Sequence, residues 1–202
     1  MPPDEKLAAM TRDADHTATY SLRPADLSDA PDVADLVKAA YRHYIERIGR
    51  SPGPMTEDYV AVIRDRQVTV AESLATIVGV IVLGRTDEGF VIDNVAVRPS
   101  NQGTGLGELL LDFAETEAHK AGFDSIYLYT HEKMTENRAL YSRRGYVEFE
   151  PHLDSPPCRL YENAARRGSV GGRSLLLGWA FDTEGQAVAR ELAVPRREPR
   201  RP

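Results

Sequence analysis

Six consecutive residues, Gln102-Gly103-Thr104-Gly105-Leu106-Gly107, constrain this chain more than any others, because they lie directly between a strand pattern and a helix pattern. Upstream, Phe90 to Val97 reads as a strand closed by Arg98-Pro99. Downstream, Leu106, Leu109, Leu110, Phe113, Ala114 and Ala118 fall on one face of an amphipathic helix that Gly122 is placed to end. Glycines in such a turn let backbone amides approach a ligand closely. The amino end of the helix adds unpaired N–H groups and a partial positive charge. The ligand that fits is an anion, and a diphosphate fits best.

Two common phosphate loops do not match. A Walker loop ends in Gly-Lys-Ser/Thr, whereas Gly107 is followed by Glu108. A dinucleotide fingerprint requires Gly-x-Gly-x-x-Gly. Here the last glycine comes one residue early, and no acid follows a second strand at the distance ribose binding needs. A nucleotide-dependent oxidoreductase is therefore disfavoured.

The rest of the chain supplies strands and helices around this turn. Residues 1–17 lack sustained periodicity and predict a disordered segment. Thr19 to Arg23 alternates as a short strand. Ser28 or Asp29 before Pro31 marks a helix start, and Val33, Leu36, Val37, Ala40, Tyr41 and Tyr44 form its apolar stripe. Arg50 to Pro54 breaks the chain, and Thr56 is placed to cap a second helix carrying Tyr59, Val60 and Ile63. Val68 to Ala71 and Thr76 to Leu83 read as a hairpin, and Ile126 to Tyr129 as a further strand. Thr135 is placed to cap a helix reaching Arg144, with Gly145 as its stop. Tyr146 to Phe149 and Arg159 to Tyr161 pair as a last hairpin. The order β-α-α-β-β-β-α-β-α-β-β predicts an α/β fold, a mixed sheet flanked by helices, with parallel pairing inside residues 90–130.

Charge and composition narrow the class. A net charge of −6 argues against nucleic acid as the main partner. From Ala164 onward eight arginines face four acids, so the tail is basic and the remainder stands near −10. No stretch approaches the roughly 18 apolar residues of a membrane span. The start, Met1-Pro2-Pro3-Asp4-Glu5-Lys6, lacks a secretory pattern, and the single Cys158 permits no intrachain disulfide. These features predict a cytoplasmic protein without a metal centre, divided into residues 1–17, a domain over 18–162, and an Arg/Gly/Pro-rich extension over 163–202. That extension is predicted to be poorly ordered, with Leu175 to Phe181 its one sheet-compatible stretch.

Two segments together resemble the GNAT superfamily of N-acetyltransferases. Val95-Ala96-Val97-Arg98-Pro99, leading into Gln102-Gly103-Thr104-Gly105-Leu106-Gly107, is similar to the family's acetyl-CoA signature. Asn137-Arg138-Ala139-Leu140-Tyr141-Ser142-Arg143-Arg144-Gly145-Tyr146 is similar to its second signature. The resemblance spans about residues 19–162.

It implies a centrally splayed sheet and direct acetyl transfer from acetyl-CoA to an amine, without an acyl-enzyme. Residues 102–107 would hold the pyrophosphate through their amides. Val95 and Val97 would pair with the pantetheine arm, with the Val97 N–H a candidate for the thioester oxygen. Asn137 would contact the cofactor, and Tyr141 would protonate the departing thiolate. Asp93 and His131 are the candidate general bases, the first two residues before Val95 and the second at a strand end with a suitable intrinsic pKa. Tyr44, Met55 and Tyr59 are candidates for the acceptor pocket, and Tyr41 is read as packing. A non-catalytic acyl-CoA-binding sensor is the alternative; retention of Asn137 and Tyr141 speaks against it. Family members are often homodimers, although no heptad or interface stripe marks one here.

Overall fold

The structure, a computed structural model, describes residues 20–86, 89–149, 158–163, 179–181 and 187–189. Strands Ser21–Pro24 (β1), Gln67–Ser73 (β2), Thr76–Thr86 (β3), Gly89–Val97 (β4), Ile126–His131 (β5), Tyr146–Phe149 (β6) and Cys158–Asn163 (β7) share one sheet, in the order β1-β2-β3-β4-β5-β7-β6. Within this sheet only β4 and β5 pair in parallel. The helices are Ala30–Tyr41 (α1), Tyr44–Ile48 (α2), Tyr59–Asp65 (α3), Leu106–Lys120 (α4) and Thr135–Arg143 (α5). Two further strands, Trp179–Phe181 (β8) and Ala187–Ala189 (β9), pair with each other. No helix among the described residues is long and apolar enough to cross a membrane.

Both faces of the sheet are buried. On one, Leu106, Leu110, Leu111, Phe113 and Ala114 of α4 pack on Ile81, Leu83, Phe90, Ile92, Ile126 and Leu128. On the other, Val33, Leu36, Val37 and Ala40 of α1 meet Val68, Val70, Val80 and Val82, with Val62 of α3 beside them. Each Val, Leu, Ile or Phe side chain among these contributes about 1.5–3 kcal/mol on burial. Helix α4 comes close because Gly79 lies beneath it: a Cβ there would stand 3.2 Å from both Leu106 Cδ2 and Leu110 Cδ1.

The feature that makes a site is a bulge followed by a splay. Val82 faces Asn94 while Leu83 faces Ile92, so Asp93 is an extra residue in β4. The bulge reverses the alternation of side chains. Phe90 and Ile92 pack on the α4 side before it and Val95 and Val97 after it, while Ala96 joins the α1 side. Pairing with β5 runs only from Phe90↔Ile126 to Ile92↔Leu128. Beyond that point β4 stays with β3, and β5 pairs with β7 as far as His131↔Cys158. The sheet therefore opens at its centre, as the resemblance implies.

Several sequence expectations change in detail. Helix α3 is capped by Asp58, whose Oδ1 accepts from the Val60 and Ala61 amides at 3.0 and 3.4 Å; the Thr56 hydroxyl instead donates to the Gly53 carbonyl at 2.9 Å. Thr135 is the first residue of α5, and Met134 holds the cap position. Tyr44 extends the α1 stripe but begins a separate helix. The last hairpin forms as expected, yet β7 inserts between β5 and β6. Within Leu175 to Phe181, residues 179–181 are strand, and the rest lies outside the described residues. So do residues 1–17 and most of the extension.

Candidate active site

Where β4 leaves β5, a cleft of about 470 Å³ opens. Val95, Ala96 and Val97 of β4 line one part of it, and Gln102, Gly103, Gly105 and Gly107 line another. Gly103 and Gly105 have φ of +77° and +86°, a region that costs an L-residue about 1–2 kcal/mol. A Cβ on either would meet nothing within 4 Å, so the turn borders open space. The two side chains between and after these glycines serve as anchors. The Thr104 hydroxyl donates to the Asn101 carbonyl at 2.6 Å and bonds the Tyr20 hydroxyl at 2.8 Å. Leu106, the first residue of α4, is buried in the core. Glycine amides at a helix amino end, in a turn that borders open space, suit an anionic ligand such as a phosphate.

Helix α5 supplies the facing wall. Asn137 and Tyr141, four residues apart, share a face and both line the cleft. Tyr141 is buried and packs against Tyr146, the rings tilted by 50° with centroids 5.9 Å apart. Tyr44 of α2 donates its hydroxyl to Asn137 Oδ1 at 3.4 Å. Burial, with Glu136 adding and Arg47 opposing, pushes the Tyr44 phenol up to about 12, so it is a neutral donor. Arg47 binds both oxygens of Glu136, at 2.7 and 2.8 Å, and lies over the Tyr44 ring at 5.6 Å. Helices α2 and α5 are thereby joined across the cleft.

Behind Tyr41, which also lines the cleft, runs a buried polar chain. The Tyr41 hydroxyl donates to Asn94 Oδ1 at 2.8 Å and approaches the Val95 carbonyl at 3.4 Å. Asn94 Nδ2 donates to the Tyr59 hydroxyl at 3.1 Å, and Tyr59 donates to the Pro54 carbonyl at 2.9 Å. Burial raises both phenols well above the ordinary tyrosine range, so both stay protonated and the chain stays intact.

The structure thus brings Val95, Val97, Gln102, Gly103, Gly105, Gly107, Asn137, Tyr141 and Tyr44 to one cleft. Thr104, Leu106, Asp93, His131, Met55 and Tyr59 are not in its lining. Asp93, at the bulge, is ion-paired with Arg66. His131 accepts the Lys133 amide at Nδ1, at 3.1 Å. Burial lowers its pKa below the ordinary value; Lys133 and Arg50 act the same way, and Glu132 opposes. Met55 packs half-buried against the α1 side of the core. Tyr41 is more than packing, and His43, Glu108, Leu140 and Arg143 join it in the lining. Glu136, Leu140 and Arg143 fall at i, i+4 and i+7, a helical stripe beside the Asn137–Tyr141 face that spacing alone reveals.

Comparison with known proteins agrees with this geometry. Residues 64–148 match the family model described as acetyltransferase (GNAT) domain. The PaiA N-acetyltransferase of Thermoplasma acidophilum, solved in complex with coenzyme A, superposes with a TM-score of 0.59 at 16% identity, covering 72% of this chain and 98% of that one. An acetyltransferase of the GNAT family from Staphylococcus aureus gives 0.58 at 19% identity, over 72% and 98%. An acetyltransferase of Thermus thermophilus gives 0.58 at 21%, over 71% and 96%. At these identities the likeness shows the fold. No curated protein matches the chain in sequence.

Proposed function

The chain belongs to the GNAT superfamily, and on that premise we propose that it transfers the acetyl group of acetyl-CoA directly to a primary amine of a small molecule or peptide. A single observation carries the reading: the glycine turn, the open stretch of β4 and the Asn137–Tyr141 face all line one cleft. In this reading the amides of residues 102–107 hold the pyrophosphate, and Val95 and Val97 pair with the pantetheine arm. Asn137 contacts the cofactor, and the Val97 N–H meets the thioester oxygen. Tyr44 lies on the cleft wall where an acceptor would enter. Tyr59, whose hydroxyl is already bonded to Asn94 and Pro54, shapes the neighbouring turn.

The amine nitrogen attacks the thioester carbonyl, a C–N bond forms, and the C–S bond breaks. The departing sulfur takes the Tyr141 proton, and the proton lost by the amine leaves through Asp93 or His131. Neither base lines the cleft, so a water carries that proton.

Thermal-shift titration with acetyl-CoA, run beside NADH and ATP, tests the first half of this reading, because a ligand of the folded state alone raises stability by mass action. Release of free coenzyme A thiol with a panel of primary amines tests the second half. The expected result is stabilisation by acetyl-CoA alone, followed by thiol release. Stabilisation without release from any amine would fit a non-catalytic acyl-CoA-binding module instead. No stabilisation would sink the enzyme reading.

A further inference from the structure

Five arginines on the elements that form or back the cleft are occupied. Arg47 is held by Glu136, Arg66 by Asp93, Arg138 by Glu148, and Arg144 by Asp112 and Glu115, while Arg98 donates to the Ile77 carbonyl. Arg143 differs. It is the one guanidinium lining the cleft, it is exposed, and among the described residues no hydrogen bond or ion pair holds it.

Its position follows from its neighbours on α5. Leu140 reaches Gly107, where a Cβ would stand 3.8 Å from Leu140 Cδ2, and Arg144 reaches Asp112 and Glu115 farther along α4. Arg143 therefore lies between these two anchors, beside the first half of α4, on the cleft wall it shares with Glu108. Glu108 disfavours any phosphate brought to this end of the cleft unless a cation stands beside it.

We propose that Arg143 binds the ribose 3′-phosphate of coenzyme A and so selects the full cofactor over its 3′-dephospho form. The inference rests on the acyl-CoA reading above and deepens it. That reading gives the pyrophosphate to the backbone amides of residues 102–107. The 3′-phosphate, a separate dianion, receives no partner from the turn, and a free guanidinium one helical turn beyond the Gly107–Leu140 contact supplies one. The planar fork of arginine suits two phosphate oxygens at once, which a lysine cannot match.

Calorimetric titration of the full chain with coenzyme A and with 3′-dephospho-coenzyme A tests the assignment, using wild type, Arg143→Ala and Arg143→Lys. Because Arg143 is exposed and unpaired, both variants should melt at the wild-type temperature. Wild type should bind coenzyme A about tenfold tighter than the dephospho form, the scale of one charge-assisted contact. Arg143→Ala should erase that preference by weakening coenzyme A alone, and Arg143→Lys should keep part of it. A preference that survives Arg143→Ala, an equal loss for both ligands, or no preference in the wild type overturns the assignment and leaves the acyl-CoA reading standing. A wild type that binds neither ligand overturns both.

Discussion

Tyr141 is 4% exposed and yet lines the cleft, its ring held by packing on Tyr146, and the proposed transfer gives it the proton for the leaving thiolate. Replacing it with phenylalanine keeps the ring and removes the hydroxyl that carries the proton. Tyr141→Phe should lower kcat by about 10²-fold or more while acetyl-CoA affinity stays near wild type, checked by steady-state kinetics against direct titration. An unchanged kcat would remove Tyr141 from the acid role. His131 makes a separate prediction, about stability. Its folded pKa is depressed, chiefly by burial, so the unfolded chain binds more protons below the ordinary histidine pKa of about 6.5. Stability is then fully present above that value and is lost as pH falls through the window toward the folded pKa. Urea midpoints at pH 7.5 and pH 5 should fall further for wild type than for His131→Gln; equal falls would show that His131 is not responsible.

The elements divide sharply between those the sequence discloses and those it does not. Helix α4 is legible because its core stripe is long and its end is marked by Gly122. Even so, the predicted stripe leaves out Leu111, which is fully buried in the same core cluster. The bulge at Asp93 is not legible: a one-residue insertion changes which face Val95 and Val97 take, and no residue type announces it. The place of β7 between β5 and β6 is a long-range pairing that local pattern cannot carry. The glycine turn and the Asn137–Tyr141 face are readable through motif and spacing. Tyr41 and His43 reach the cleft only through tertiary packing. The start of α3 shows the same limit on a small scale, since Thr56 and Asp58 are both good capping types and only geometry chooses between them. Asp58→Ala should cost about 1 kcal/mol in chemical denaturation because it strips the Val60 and Ala61 amides of their acceptor. Thr56→Ala should cost much less, since its hydroxyl serves only the Gly53 carbonyl at the surface. Equal losses would mean that the cap is shared.

Taken as a whole, the described part of the molecule places every cleft-lining residue between Ala40 and Arg143, and its large sheet takes its last strand at Asn163. Strands β8 and β9 form a second sheet whose pairing is only with each other. The extension from Ala164 is basic, eight arginines to four acids, and coenzyme A is strongly anionic. Charge alone would therefore favour contact between them, whereas among the described residues every one that lines the cleft precedes the extension. The two views separate in one experiment. A chain ending at Asn163 keeps β7 intact, so it should fold and bind acetyl-CoA with the affinity of the full chain, within about a factor of two. If tail arginines reached the ligand instead, the truncation would bind more weakly, and the deficit would shrink as salt rises from about 0.05 to 0.5 M, because exposed charges are screened over a few ångströms at the higher value. Equal affinity at both salt concentrations places the whole of cofactor recognition within residues 1–163. A salt-dependent deficit makes the extension part of the site.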